Sequence, residues 1–165
     1  MNWKRLLRHW MTDRRALNRA FPGPALVAIE TAVGEAERRH AGQIRVVLEA
    51  SLETRDLLAG VSARERALEV FSRMRVWDTE HNNGVLIYLL LADRDVEIVA
   101  DRGIHRHCGT AVWEDICHVM EAAFREGRFE AGVLAGIAAV AGHLAGHFPP
   151  SAAGINELPD RPLLM

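Results

Sequence analysis

Asn82-Asn83-Gly84-Val85-Leu86-Ile87-Tyr88-Leu89-Leu90-Leu91-Ala92-Asp93-Arg94-Asp95-Val96-Glu97-Ile98-Val99-Ala100-Asp101-Arg102-Gly103 is the stretch that decides the fold. The unbroken apolar run Val85–Leu91 lies between Asn-Gly and Ala-Asp-Arg-Asp, the pattern of a strand buried on both faces and therefore placed inside a sheet. Val96-Glu97-Ile98-Val99 follows after a short polar turn, so the simplest geometry is an antiparallel hairpin. Antiparallel pairing then carries Asn82, Asn83 and Gly84 to the same end as Asp101, Arg102 and Gly103, and that mouth is the candidate site.

Working outward, residues 2–20 place Trp3, Leu6, Leu7, Trp10 and Leu17 at helical spacing, with basic residues mostly on the other side. This reads as one amphipathic basic helix within a leading segment, residues 1–22. Tryptophan is costly to leave in water, so the expectation is that Trp3 and Trp10 dock on this protein's own body or on a second copy; the competing reading is peripheral contact with a membrane. Phe21-Pro22-Gly23-Pro24 ends the helix. A helix is predicted from Ala25 to His40 with Leu26, Ile29, Val33 and Ala36 inward, then a strand at Ile44–Glu49. Ser51–Gly60 reads as a polar connection. Ser62-Ala63-Arg64-Glu65 is a capping-box start to a helix with Ala67, Leu68, Phe71 and Met74 inward. After the hairpin, helices are predicted at Thr110–Glu126 and from Phe129 to Gly146, and residues 149–165 read as a loosely held tail. The strand at Ile44–Glu49 and the strand at Val85–Leu91 are joined through a helix, so they should run parallel. The expected architecture of residues 23–148 is α/β, a three-layer α/β/α sandwich whose small mixed sheet contains the central β-hairpin.

Composition sets the bounds. The chain has 165 residues, 49% hydrophobic and 25% charged, enough for one domain with its own core. No uninterrupted apolar run approaches the roughly 20 residues of a membrane span. The first residues continue into charge rather than a signal-peptide core, so the expected location is cytoplasmic, with peripheral membrane attachment as the variant. In that compartment Cys108 and Cys117 are expected as reduced thiols without zinc. The formal net charge is −2, yet residues 1–20 hold six basic residues against one acidic, leaving a surplus of negative charge on the rest. The body has no basic stripe, which argues against nucleic acid as a partner; a protein partner or a homo-oligomer is expected instead.

Ile44-Arg45-Val46-Val47, Ala67-Leu68-Glu69-Val70-Phe71, Asn83-Gly84-Val85-Leu86-Ile87, Asp93-Arg94, Val96-Glu97-Ile98, Arg102-Gly103-Ile104 and Phe124-Arg125-Glu126-Gly127-Arg128-Phe129-Glu130-Ala131-Gly132 together resemble the TPM domain family over about residues 25–148. That family includes a plant thylakoid-lumen protein involved in photosystem II repair and many bacterial membrane-associated proteins. The resemblance implies an α/β/α sandwich and, from proposals for some members, acid phosphatase activity or calcium binding. Two departures stand out. Asp101-Arg102-Gly103-Ile104-His105 replaces a glycine-aromatic-glycine turn, and the signal peptide and membrane helix common in the family have no counterpart in this sequence.

The chemistry available is that of oxygen donors. Asp78, Glu80, Asn82, Asn83 and Asp101 would suit a hard cation such as calcium or magnesium if they converge; the plainer reading of the same residues is turn chemistry. Arg102 is a candidate for a phosphate or partner contact, or else an ion pair. His105, His107, Cys108, Cys117 and His118 are soft donors, but their spacing matches no common zinc motif. His143 and His147, at i and i+4, are read as neutralising a helix C-terminus. No glycine-flanked serine elbow or phosphate-cradling loop occurs. The expected role is a non-catalytic module for divalent cations or protein partners, linked to membrane-associated assembly; the alternative is a metal-dependent, acid-phosphatase-like phosphoester hydrolase, whose enzymatic standing rests on the resemblance alone.

Overall fold

The computed structural model describes residues 3–150 and 155–165; the parts of the predicted leading helix and tail that fall on residues 1–2 and 151–154 lie outside the described residues. β2 (Gly84–Leu90) is buried along its whole length, as its unbroken apolar run requires. It pairs in parallel with β1 (Gln43–Glu49) and antiparallel with β3 (Asp95–Ala100), with Val85 opposite Ala100 and Leu90 opposite Asp95. The hairpin and the parallel crossover are therefore as predicted. The sheet order is β3-β2-β1-β4, where β4 is the two-residue strand Leu163–Leu164, parallel to β1.

Side chains alternate across the sheet. Ile44, Val46, Leu48, Val85, Ile87, Leu89, Val96 and Ile98 enter one core cluster. It is closed by helices α3 (Gly23–Glu37), α6 (Arg102–Arg125) and α7 (Phe129–His147). Val47, Leu86, Tyr88, Leu90 and Val99 form the second cluster with α5 (Ala63–Arg73), whose capping box of Ser62 and Glu65 is intact. The result is the three-layer α/β/α sandwich. α5 turns Ala63, Ala67 and Val70 inward, while Leu68, expected inside, is exposed. A short helix, α4 (Thr54–Leu58), stands in the expected polar connection.

By length and mean composition α7 is apolar enough to cross a bilayer, contrary to the limit drawn from uninterrupted runs. Within the fold, Gly132 and Gly136 face α6, while Gly142 and Gly146 face open space. A Cβ on Gly136 would lie 2.3 Å from Met120 Sδ of α6, so the glycine is what lets the two helices approach.

The two chain ends depart furthest from expectation. The leading segment is two helices, α1 (Trp3–Met11) and α2 (Arg14–Ala20), because the Asp13 carboxylate accepts the Ala16 N–H at 2.9 Å and starts a new helix. α1 does dock on the body, but through Leu6 and His9, while Trp3 and Trp10 are exposed. Residues 155–165 are no loose tail. Met165 N–H donates to Leu48 O and Ala50 N–H to Met165 O, at 2.9 and 3.0 Å. The buried Arg45 guanidinium donates to Pro159 O and Arg161 O, and Gln43 Oε1 accepts from the N–H groups of Glu157 and Leu158. At the opposite edge the outward-facing groups of β3 meet side chains, with Arg64 donating to Ile98 O at 2.8 Å and Glu121 accepting from Val96 N–H at 3.4 Å.

Glu37, at the end of α3, generates a measurable pH dependence. Burial outweighs the hydrogen bond it accepts from Ile44 N–H at 2.8 Å, Asp160 adds repulsion, and the carboxyl is raised from 4.5 to about 7. The stability this group contributes is fully present below its unfolded value and is lost as pH rises through the folded one. Glu37→Gln keeps the acceptor and removes the ionisation. It should raise Tm by about 3–6 °C at about pH 8 and leave it nearly unchanged at about pH 4, measured by thermal denaturation across pH.

Candidate functional site

The β2–β3 mouth is built by the backbone before it is built by side chains. Asp101 N–H donates to Gly84 O at 2.9 Å, and Asn83 O accepts from Gln43 N–H at 3.3 Å, which fixes both segments to the ends of the sheet. Asn82 adopts a left-handed conformation with φ of 52°, and its N–H donates to Thr79 O. Gly103, in the first turn of α6, lies directly against the carbonyls of Asn82 and His81; a Cβ there would come within 2.2 and 2.7 Å of them. No larger residue fits without moving backbone.

Two buried oxygens in this mouth have no hydrogen-bond partner among the described residues, Asn83 Oδ1 and Asp101 Oδ2. Asn83 is fully buried. Its N–H donates to Thr79 Oγ1 at 3.1 Å and its Nδ2 to Ala41 O at 3.0 Å. Asp101 is the N-cap of α6, where its Oδ1 accepts from Arg102 N–H at 2.7 Å. Buried acceptors of this kind are costly when unpaired.

The expected oxygen cluster is thus divided. Asn82, Asn83 and Asp101 come to one mouth, whereas Asp78 is exposed and faces Arg75 at 3.5 Å. Glu80 is exposed too, and its N–H is held by Glu157 Oε2 at 3.0 Å. The Arg102 side chain lies on the outside of the same helix turn. Among the described residues no group of three or more His, Cys, Asp or Glu side chains is placed to hold a metal, so any cation here would depend on amide and carbonyl oxygens as well as Asp101.

The soft donors disperse. His105 Nδ1 accepts from Trp113 Nε1 at 3.2 Å, His107 stacks on His147 with ring centroids 4.6 Å apart, and His118 is exposed. His143 meets the edge of Trp113. A break at Gly109, where φ is 74°, separates the turn bearing Cys108 from the helical stretch bearing Cys117. Both cysteines are free; Cys117 is buried in the core, and burial raises its thiol to about 12.

Two polar constellations were not visible in the residue pattern. On the α5 side of the sheet, the Glu49 carboxylate accepts Arg66 Nε and Nη2 at 3.0 and 2.9 Å and the Tyr88 hydroxyl at 2.7 Å. Burial together with the Glu49 charge pushes the Tyr88 hydroxyl far above its ordinary value. The second lies at the β2–β3 turn, at the opposite end from the mouth. There Asp93 receives Arg5 Nε at 2.9 Å and Arg8 Nη2, and His9 Nε2 stands 3.2 Å away. Since His9 Nδ1 accepts from Leu52 N–H at 3.0 Å, the ring proton belongs on Nε2, facing Asp93. Burial would raise the Asp93 carboxyl, but the three donors outweigh it and hold it well below the carboxylate range. A sequence signal existed for the turn, in Ala-Asp-Arg-Asp. None existed for its partners, with Arg5 lying 88 residues away.

Comparison with known proteins agrees with this architecture. A family model described as the TPM domain matches residues 23–143. The BA42 protein of the psychrophilic bacterium Bizionia argentinensis, solved by NMR, is 30% identical, with a TM-score of 0.77 over 88% of this chain and 95% of that one. The N-terminal domain of a P. gingivalis protein, also solved by NMR, shares the fold at 21% identity, with a TM-score of 0.63 over 76% of this chain and 77% of that one. No curated protein is significantly similar in sequence.

The positions of the two thiols give a direct check on α6. With an aromatic disulfide reagent at about pH 8, Cys108 should react in the native protein, while Cys117 should react only on unfolding. Cys108→Ser should abolish the native-state phase; a fast phase surviving in that variant would place Cys117 outside the core.

Proposed function

Because the chain belongs to the TPM domain family, we propose that it serves as a non-catalytic module that binds a divalent cation, calcium or magnesium, at the β2–β3 mouth. The observation that carries this reading is the pair of buried, unpartnered oxygens, Asn83 Oδ1 and Asp101 Oδ2. Hard cations take oxygen donors, and the carbonyls of Asn82 and His81 beside Gly103 are of the same kind. One carboxylate in the donor set supports weak binding, with a dissociation constant of about 10⁻⁴–10⁻³ M.

Hydrolysis would ask more of the mouth than these residues supply. A phosphoester needs an activated water or nucleophile and stabilisation of developing charge, held together in one pocket. Asp101 Oδ1 is engaged as a helix cap by the Arg102 backbone N–H, and the exposed side chains of Arg102 and Glu80 are not brought against Asp101 by any hydrogen bond or ion pair among the described residues. The module reading asks for cation binding alone.

A titration separates the two. In saturating calcium or magnesium, at about 100 times the dissociation constant, the wild type should gain about 2.7 kcal/mol of stability without turning over a phosphate ester. Asp101→Asn, which keeps the capping oxygen and loses the charge, should lose most of that gain, and Asn83→Ala should weaken it. No cation-dependent gain in the wild type would overturn the reading. Cation-dependent ester turnover that disappears in Asp101→Asn would make the protein an enzyme.

A further inference from the structure

At the other end of the sheet, α1 is an amphipathic helix mounted with its apolar side outward. Trp3, Leu7, Trp10 and Met11 fall within about a third of the helix circumference, and all four are exposed, Trp3 by 65% and Trp10 by 59%. The opposite side is taken up by the body: Leu6 and His9 are buried, and Arg5 donates to Asp93 and to Val61 O. Trp10 Nε1 donates to Thr54 Oγ1 at 3.1 Å, which holds that ring beside α4, and exposed Leu58 lies one turn further along α4. A soluble surface does not ordinarily display two tryptophans, leucine and methionine contiguously.

The surroundings identify the occupant. Lys4 and Arg8 lie along one side of the apolar arc, Arg8 with its guanidinium on Asp93, and Arg14, Arg15 and Arg19 follow on α2, all exposed. The acidic groups of α4 next to it, Glu53 and Asp56, are ion-paired to Arg55. Beside α1 and α2 opens a cleft of about 720 Å³ whose lining includes Arg8, Thr12, Arg19, Asp93 and Arg94. Asp93 is already satisfied by Arg5, Arg8 and His9, so Arg19 and Arg94 leave the cleft with a positive surplus. We propose that this end of the molecule docks peripherally on a bilayer containing anionic phospholipid, with the aromatic face of α1 at the headgroup–acyl boundary and the arginine-lined cleft against lipid phosphates.

Tryptophan is the side chain best suited to that boundary, and basic residues flanking an apolar arc are the pattern of helices that lie in the interface plane. The charge distribution orients the whole molecule. Residues 1–20 carry a positive surplus and the remainder a negative one, so an anionic surface attracts the α1–α2 face more than the rest of the chain. A second copy fits less well, since a two-fold pairing of α1 faces would set the flanking Lys4 and Arg8 of one copy close to those of the other.

Co-sedimentation of the full chain with vesicles tests the inference. Binding is expected to phosphatidylglycerol-containing vesicles, weakened by salt and largely absent with pure phosphatidylcholine. Because both rings are exposed, Trp3→Ala/Trp10→Ala should keep the wild-type circular dichroism and Tm but lower the vesicle partition by about tenfold or more. Arg19→Glu/Arg94→Glu should weaken binding without unfolding the protein. The proposal fails if the wild type does not bind anionic vesicles at low salt, or if the tryptophan variant binds as well as the wild type. It fails equally if the wild type sediments as a dimer that the tryptophan variant dissociates, because a second copy would then be the occupant.

Discussion

The parallel pairing of β1 with β2 is the constraint on which everything else rests. Both strands are buried along their full length, so both faces of the sheet must be covered, and neither can be left to water. Three helices close one side, while α5 and the C-terminal segment close the other. The same requirement explains the buried charges. Gln43, Arg45 and Glu49 alternate with Ile44, Val46 and Leu48 along β1, and each polar group is matched by a partner from elsewhere in the chain. A buried carboxylate such as Glu49 is tolerated because the Arg66 fork and the Tyr88 hydroxyl leave it no unmet acceptor of consequence.

What could be read from the residue order was whatever depends on local pattern. The continuous run Val85–Leu91 located the interior strand, the following Asp-Arg-Asp turn located the hairpin, and pairing alone placed Asn83 and Asp101 at one mouth. Local pattern failed where distance in sequence intervenes. Leu163-Leu164 is too short to show a period, and its identity as a strand comes from an edge of β1 that needed covering. Asp13 is a local exception: it looked like one polar residue in a helix, yet its capping bond to Ala16, three residues on, splits that helix in two. The hydrophobic pattern of residues 3–11 correctly announced an amphipathic helix but could not say which side faces the body. Three donors converging on Asp93 decide that, and they put the tryptophans outside.

The two ends of the sheet thus carry opposite chemistry. At the mouth, acceptor oxygens face inward with too few donors; at the turn, donors outnumber the one carboxylate they share. The body holds these ends apart by the length of β2, seven residues or about 23 Å of strand. An end with unpartnered buried oxygens and a basic, aromatic end on one sheet form a polar particle whose orientation at a charged surface is set by its charge distribution.

The late arrival of β4 has a consequence for how the protein is handled while it folds. The hairpin and its neighbour β1 come from residues 43–100, whereas the groups that cover the outer edge of β1 come from residues 157–165. Until that segment docks, β1 presents an unpaired backbone edge to whatever strand is nearest. In a crowded solution the nearest strand belongs to another molecule, and pairing of that kind grows into aggregates. Covering β1 is therefore protection against misassembly as much as a contribution to the finished fold, and yield on refolding should be more sensitive to protein concentration than the stability of the native state would imply.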